Sequence, residues 1–276
     1  MKKVVVLLVC IVIVLVRYTV FDESDIESSF GAKNDYKQEK VFYDNKTYEQ
    51  EKAFYDNKEY DKTAELFKKA CDGGEVLGCF NLGIMYATGN GVEKDFSKAA
   101  QLFKKACDGG EVRGCYNLGV MYEKGNGVEK NFSKAVQLFK KACDGGDMSG
   151  CGNLGTMYAK GEGVEKDLDK AVQLYKKACD GGDIRGCFNL GSMYADGDGV
   201  EKDFGKAVEL YKKACDGGEV RGCVKLGIMY ADGDGVEKNE QKAAELYKKA
   251  CDGGNMDGCR NLGVMYEKVM EQKKTR

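Results

Sequence analysis

The chain has 276 residues and a formal net charge of −2, with 43 basic against 45 acidic side chains; it contains no Pro, His or Trp, but 37 Gly and 13 Cys. A faintly acidic chain lacks the basic surface that phosphate neutralisation demands, which argues against a nucleic-acid partner. The absence of His excludes a Ser-His-Asp triad and the histidine-ligated zinc hydrolases, and a composition this skewed is what copying of a short unit leaves.

The chain opens on Lys2 and Lys3, followed by an apolar run from Val4 to Val16 that Arg17 closes. That run has the length of a signal-peptide core and is short for a membrane span. The bulky stretch Arg17-Tyr18-Thr19-Val20-Phe21 offers no small-x-small cleavage site, so two outcomes stay open. Residues 1–21 are either a cleaved signal, giving a secreted or periplasmic protein, or an uncleaved anchor that is the chain's one membrane contact. Cys10 follows the non-small Val9, unlike a lipoprotein cysteine, and is read as filler in the run.

Residues 22–35 are polar and read as a tether. Residues 36–74 read as an amino-terminal capping repeat with a local duplication, EKVFYDNKTYEQ followed by EKAFYDNKEYDK, and a helix from Tyr60 to Cys71. Residues 75–254 then contain five copies of a 36-residue unit. KKACDGG ends at Gly74, Gly110, Gly146, Gly182, Gly218 and Gly254, and GxGVEK begins at Gly89, Gly125, Gly161, Gly197 and Gly233.

Each unit predicts two helices. In the first, Val76, Cys79, Leu82, Gly83 and Tyr86 recur at helical spacing as an apolar stripe. Gly89 and Gly91 stop it, and Asp95 is a good N-cap for a second helix from Phe96 to Cys107. Ala99, Leu102, Phe103 and Ala106 form that helix's buried face, and Gly109-Gly110 turns the chain into the next unit. The alanines at 70, 106, 142, 178, 214 and 250 allow close helix contact, and the methionines at 85, 121, 157, 193, 229 and 265 read as core. One hairpin cannot bury its own stripe, whereas stacked hairpins can. The expectation is an all-α fold, a right-handed superhelical α-solenoid of helix–turn–helix repeats with a disulfide per repeat. Residues 255–276 close it as a capping helix, Asn255 to Lys268, and a charged tail from Val269 to Arg276.

Twelve cysteines fall into pairs eight apart: Cys71 and Cys79, Cys107 and Cys115, Cys143 and Cys151, Cys179 and Cys187, Cys215 and Cys223, Cys251 and Cys259. Zinc ligation wants CxxC spacing and often His, and a reactive thiol would be one special residue, so disulfides are expected. Pairing across the Gly-Gly turn or across the GxGVEK loop is equally symmetric. Parity favours the turn, because the alternative strands Cys71 and Cys259. DGDGVE at Asp196 and Asp232 lacks the acidic ligand of a calcium loop, so no metal and no cofactor is expected.

The unit GCxNLGxMYxxGxGVEKDxxKAxxLyKKACDGG resembles the Sel1-like repeat, a relative of the tetratricopeptide repeat, over roughly residues 36–268. The cysteine pair in each unit makes it similar to the Helicobacter cysteine-rich proteins. That resemblance implies export, disulfides between cysteines eight apart, host-protein interaction, and penicillin binding with weak β-lactamase activity, hence a β-lactam or peptidoglycan-related ligand. The catalytic residues of such an activity are not identifiable, because Ser97, Ser133 and Ser149 are not in SxxK, and KTG is absent. A non-catalytic scaffold that binds a peptide or protein segment is therefore the leading reading, and weak β-lactam hydrolysis the alternative.

The resemblance also implies where a peptide would lie. In tetratricopeptide arrays the first helices line a concave groove. Matching Leu82, Gly83 and Tyr86 to that family's Leu-Gly-Tyr puts Asn81, Asn117, Asn153, Asn189 and Asn261 at a position that holds ligand backbone or carboxylate, with Lys225 in the fifth unit. Arg113, Arg185 and Arg221 stand nearby, with Phe80, Tyr116 and Phe188 between. The asparagines are expected to open onto solvent on that surface. The competing reading has them bonding neighbouring backbone and fixing the stack.

Overall fold

The computed structural model describes residues 60–274, and the signal or anchor, the tether and the first part of the capping repeat lie outside them. Twelve helices follow one another among the described residues. They are α1 (Tyr60–Asp72), α2 (Val76–Thr88), α3 (Phe96–Asp108), α4 (Val112–Lys124), α5 (Phe132–Asp144), α6 (Met148–Lys160), α7 (Leu168–Asp180), α8 (Ile184–Asp196), α9 (Phe204–Asp216), α10 (Val220–Asp232), α11 (Glu240–Asp252) and α12 (Met256–Lys274). The described residues contain no strand. The result is an all-helical solenoid with one disulfide per repeat. It divides into two compact units, the first ending at Asp147 and the second starting at Met148.

Local chemistry sets the boundaries. Asp95 accepts a hydrogen bond from the Lys98 backbone N–H at 2.9 Å and starts α3; Asn131, Asp167, Asp203 and Asn239 do the same for α5, α7, α9 and α11. Glu111 and Glu219 cap α4 and α10 through the N–H groups of Arg113 and Arg221. At the other end Gly89 lies in the left-handed region at φ 85°, and its N–H reaches Met85 O. Gly74 likewise needs φ 89° for the turn between α1 and α2.

α12 departs from this pattern. Val269 stands where the other first helices have their terminal glycine, and the helix runs on to Lys274, through most of what the sequence read as a tail.

Packing follows the predicted stripes. A Cβ added to Gly78 would lie 2.7 Å from Ala70 Cβ, so α1 and α2 meet at small residues beside the Cys71–Cys79 disulfide, whose Cα atoms are 4.5 Å apart. Further along, a Cβ on Gly83 would lie 2.8 Å from the ring of Phe103, which packs directly against the glycine. Rings of Phe139, Tyr175, Tyr211 and Tyr247 fill the same sockets at Gly119, Gly155, Gly191 and Gly227. Within the two units, α2, α4, α8 and α10 are thus each held between two second helices, whose lysine-rich outer faces remain in solvent.

Successive second helices are also stapled by charge. Lys105 Nζ donates to Cys71 O at 2.6 Å and Lys141 Nζ to Cys107 O at 2.8 Å in the first unit. Lys213 and Lys249 donate to Cys179 O and Cys215 O in the second. Each ammonium meets the carbonyl end of the preceding helix, where its dipole is negative.

Cys71–Cys79, Cys107–Cys115, Cys179–Cys187, Cys215–Cys223 and Cys251–Cys259 are bonded as parity required, and Cys143 and Cys151 are disulfide-bonded too. Six disulfides suit an oxidising extracellular or periplasmic environment. No helix among the described residues is long and apolar enough to cross a membrane.

Candidate functional site

The first helices carry every residue that the sequence singled out for binding. In the first unit, α2 presents Phe80 and Asn81, and α4 presents Arg113, Tyr116 and Asn117. Asn81 and Asn117 are 0 % exposed rather than open to solvent. Neither Nδ2 nor Oδ1 of either side chain has a hydrogen-bond partner, so these amides do not bond neighbouring backbone. Such groups are rare in folded proteins because a buried amide without partners forfeits its hydration. Apolar neighbours on the same helices, Phe80 and Ile84 on α2 and Tyr116 and Val120 on α4, are buried with them.

The second unit is more open and more polar. Asn153 on α6 and Asn189 on α8 are half-buried, Lys225 on α10 is exposed, and Asn261 on α12 is half-buried. Gly152 replaces the aromatic residue. Thr156 and Ser192 replace the aliphatic one, and each hydroxyl accepts a 3.1 Å hydrogen bond from Tyr175 or Tyr211. Burial raises the ionisation of both tyrosines above its ordinary value, so they remain neutral donors.

The arginines are not open anion receptors. Arg113 stacks on Phe80, its guanidinium carbon 4.6 Å from the ring centroid. Its fork grips Glu111 through Nε at 2.7 Å and Nη2 at 2.8 Å. Arg221 repeats the arrangement on Phe188 with Glu219, at 2.8 and 2.9 Å. A guanidinium held along its Nε–Nη2 edge by a carboxylate and stacked on a ring by one face is committed to its own helix cap rather than presented to a ligand carboxylate. Burial pushes the Glu111 and Glu219 carboxyls up, but the arginine hydrogen bonds and charge outweigh it and hold both below the ordinary glutamate range. Arg185 differs: the shorter Asp183 leaves a 3.8 Å separation, and Asp183 Oδ2 sits 2.9 Å from where a Cβ on Gly152 would be.

Sequence reasoning missed the capping acids as the arginines' partners. Their signal was present, since an acidic residue precedes each arginine by two positions in GGEVRGC and GGDIRGC. Among the described residues no group of His, Cys, Asp or Glu is arranged to hold a metal ion. Ser97 Oγ donates to Gly127 O, and Ser192 Oγ donates to Phe188 O, so both are engaged in structural hydrogen bonds. Nothing in this chemistry favours β-lactam hydrolysis.

Comparison with known proteins fits this architecture. The family model for the Sel1 repeat matches residues 57–75, 76–111, 112–147, 149–183, 184–219 and 220–255. No curated protein matches the chain. A Sel1 repeat protein from Oxalobacter formigenes is 29% identical, with a TM-score of 0.72 over 78% of this chain and 85% of that one. The protective antigen c5321 of uropathogenic Escherichia coli, with the same repeat fold, is 32% identical with a TM-score of 0.70 over 75% of this chain. The chain spans only 44% of that antigen's length. Helicobacter pylori cysteine-rich protein B is 37% identical over 49% of this chain and 97% of its own, with a TM-score of 0.40. With its six matched repeats and its disulfide ladder, the chain belongs to the Sel1 repeat family.

Proposed function

We propose that the protein is an exported interaction scaffold whose first helices hold an extended segment of a protein partner. The observation that carries this reading is the pair of orphaned carboxamides at Asn81 and Asn117. A carboxamide presents one acceptor and one donor group side by side, which is what a peptide unit requires. Two of them, on equivalent helices at least about 8–10 Å apart, suit peptide groups about three residues apart on one extended strand, which rises about 3.3 Å per residue. In the free chain both are closed off from solvent, so binding there is coupled to opening of this face. Asn153 and Asn189, half-buried at the same helical position, are the accessible members. Stacking rings and engaged arginines on the same helices supply a stiff wall, which limits the entropy lost on binding.

Random peptides displayed on phage and selected on the oxidised protein test this reading. Selected peptides should lose about 5- to 150-fold in affinity on Asn153→Ala or Asn189→Ala, the range for one unmatched hydrogen-bonding group, with melting temperature unchanged. Affinity indifferent to these substitutions, or lost only in step with stability, would sink the proposal.

A further inference from the structure

The internal repeats act as a template for α12. In five earlier units a first helix receives a second helix through the same three contacts, and in four of those units through a fourth. A ring packs on the socket glycine, as Phe103 does on Gly83. A lysine stands over the tyrosine three residues on, as Lys98 does over Tyr86 at 5.1 Å and Lys242 over Tyr230 at 5.1 Å. The residue that opens the first helix, such as Val76 or Val220, packs on the glycine after the second, Gly109 or Gly253. A further lysine reaches the preceding cysteine carbonyl, as Lys249 does Cys215 O at 3.1 Å.

α12 presents the receiving half of all four without the other half. Gly263, the socket glycine, has nothing within 4 Å of where its Cβ would be. Tyr266 is 59% exposed and Met256 73% exposed. Among the described residues no cation stands over Tyr266 and no lysine reaches Cys251 O, which accepts from Gly254 N–H. Val264 and Met270 extend the apolar surface beside them. The helix runs straight on to Lys274 instead of turning back over this face.

We propose that this face of α12 is a docking site for an amphipathic helix of a separate protein, patterned K-x4-[FY]-x-K-x3-G. That spacing is read from Lys98, Phe103, Lys105 and Gly109, and is repeated at Lys170, Tyr175, Lys177 and Gly181. The complementarity is of shape and charge together. The ring fills the Gly263 socket, the first lysine lies on the Tyr266 face, and the second meets the carbonyl end of α11. The occupant is thereby defined by chemistry, a helix that presents two lysines and one aromatic side chain on its docking face, a spacing that an extended peptide does not reproduce. This surface is distinct from the asparagine face and does not rest on it.

The probe is a fluorescein-labelled peptide of residues 167–182 with Cys179→Ser, stapled across its solvent face because so short a helix is marginal alone. Its helicity is checked by circular dichroism before use. Anisotropy titration with the oxidised full chain should show saturable binding. The affinity should fall at least tenfold when Gly263→Leu fills the socket, and likewise with Tyr175→Ala in the peptide. Gly263→Leu should leave the melting temperature of the chain unchanged or higher, since the position faces open space; a fall would show that the socket is already occupied and overturn the proposal. Absence of binding by the helical peptide, or binding indifferent to Gly263→Leu, would also overturn it. Sedimentation of the chain alone decides against a second copy as occupant: self-association abolished by Gly263→Leu would replace the separate partner with the chain itself.

Discussion

Reduction of the disulfides should unfold this protein outright. Each bond closes a loop of nine residues, from Cys71 to Cys79 and its repeats. In the chain-entropy treatment such a loop removes about 9 cal/mol/K from the unfolded ensemble, or about 2.6 kcal/mol at 25 °C. The loops do not overlap along the chain, so their contributions add to a first approximation. Six of them total about 15 kcal/mol, as large as the whole stability of an ordinary domain. Urea denaturation of the oxidised protein, of the reduced protein and of the double variant Cys215→Ala/Cys223→Ala measures the effect. The double variant should lose about 2–3 kcal/mol plus a smaller term for two buried sulfurs, each 1 % exposed. A reduced chain that still unfolds cooperatively, with its midpoint shifted by only a few tenths molar urea, would refute this reasoning. It would show that helix packing alone carries the stack.

Other expectations concern side chains whose partners the structure identifies. Asn81→Leu and Asn117→Leu should each raise stability by about 1–3 kcal/mol, because they remove buried amides that have no partner; a loss of stability in thermal melts would show the amides to be satisfied. Lys105→Met should cost about 1–2 kcal/mol, since the bond to Cys71 O is charge-assisted and half-buried, and urea titration reads it. The Glu111 and Glu219 carboxyls ionise below their ordinary range when folded. The unfolded chain therefore binds more protons between the two values, and their contribution is complete above about pH 4.3 and is lost as pH falls through the folded value. Melting temperature against pH should then show an acid limb that flattens in the Glu111→Gln/Glu219→Gln variant; an unchanged limb would show that the forks contribute nothing.

Much of the fold was legible because its determinants are local. An N-cap such as Asp95 acts on the N–H of Lys98, three residues on, and a stop glycine such as Gly89 acts on Met85 O, four residues back. Composition at fixed spacing therefore specifies them. The period of 36 then copies one hairpin's geometry, so the disulfide pairing followed from counting. The extent of α12 was misjudged for a related reason: a charged stretch read as a tail continues a helix wherever no glycine interrupts it.

The candidate site was legible in part. Sequence put Asn81, Asn117, Arg113 and Arg221 on the first helices, where the structure has them. Which side chains are satisfied depends on what lies opposite, and sequence spacing does not report that. Arg113 was expected to offer its fork and instead grips Glu111, while Asn117 was expected in solvent and is buried without a partner. Gly83 and Gly263 occupy the same place in the same motif, yet one is filled by Phe103 and the other faces open space. Sequence by itself determined the helices, their caps, the repeat and the bonded cysteines, because each is fixed by groups a few residues away or by strict repetition. Only the tertiary structure decided which polar groups find partners and which sockets stay vacant, because those outcomes depend on surfaces brought together from distant parts of the chain.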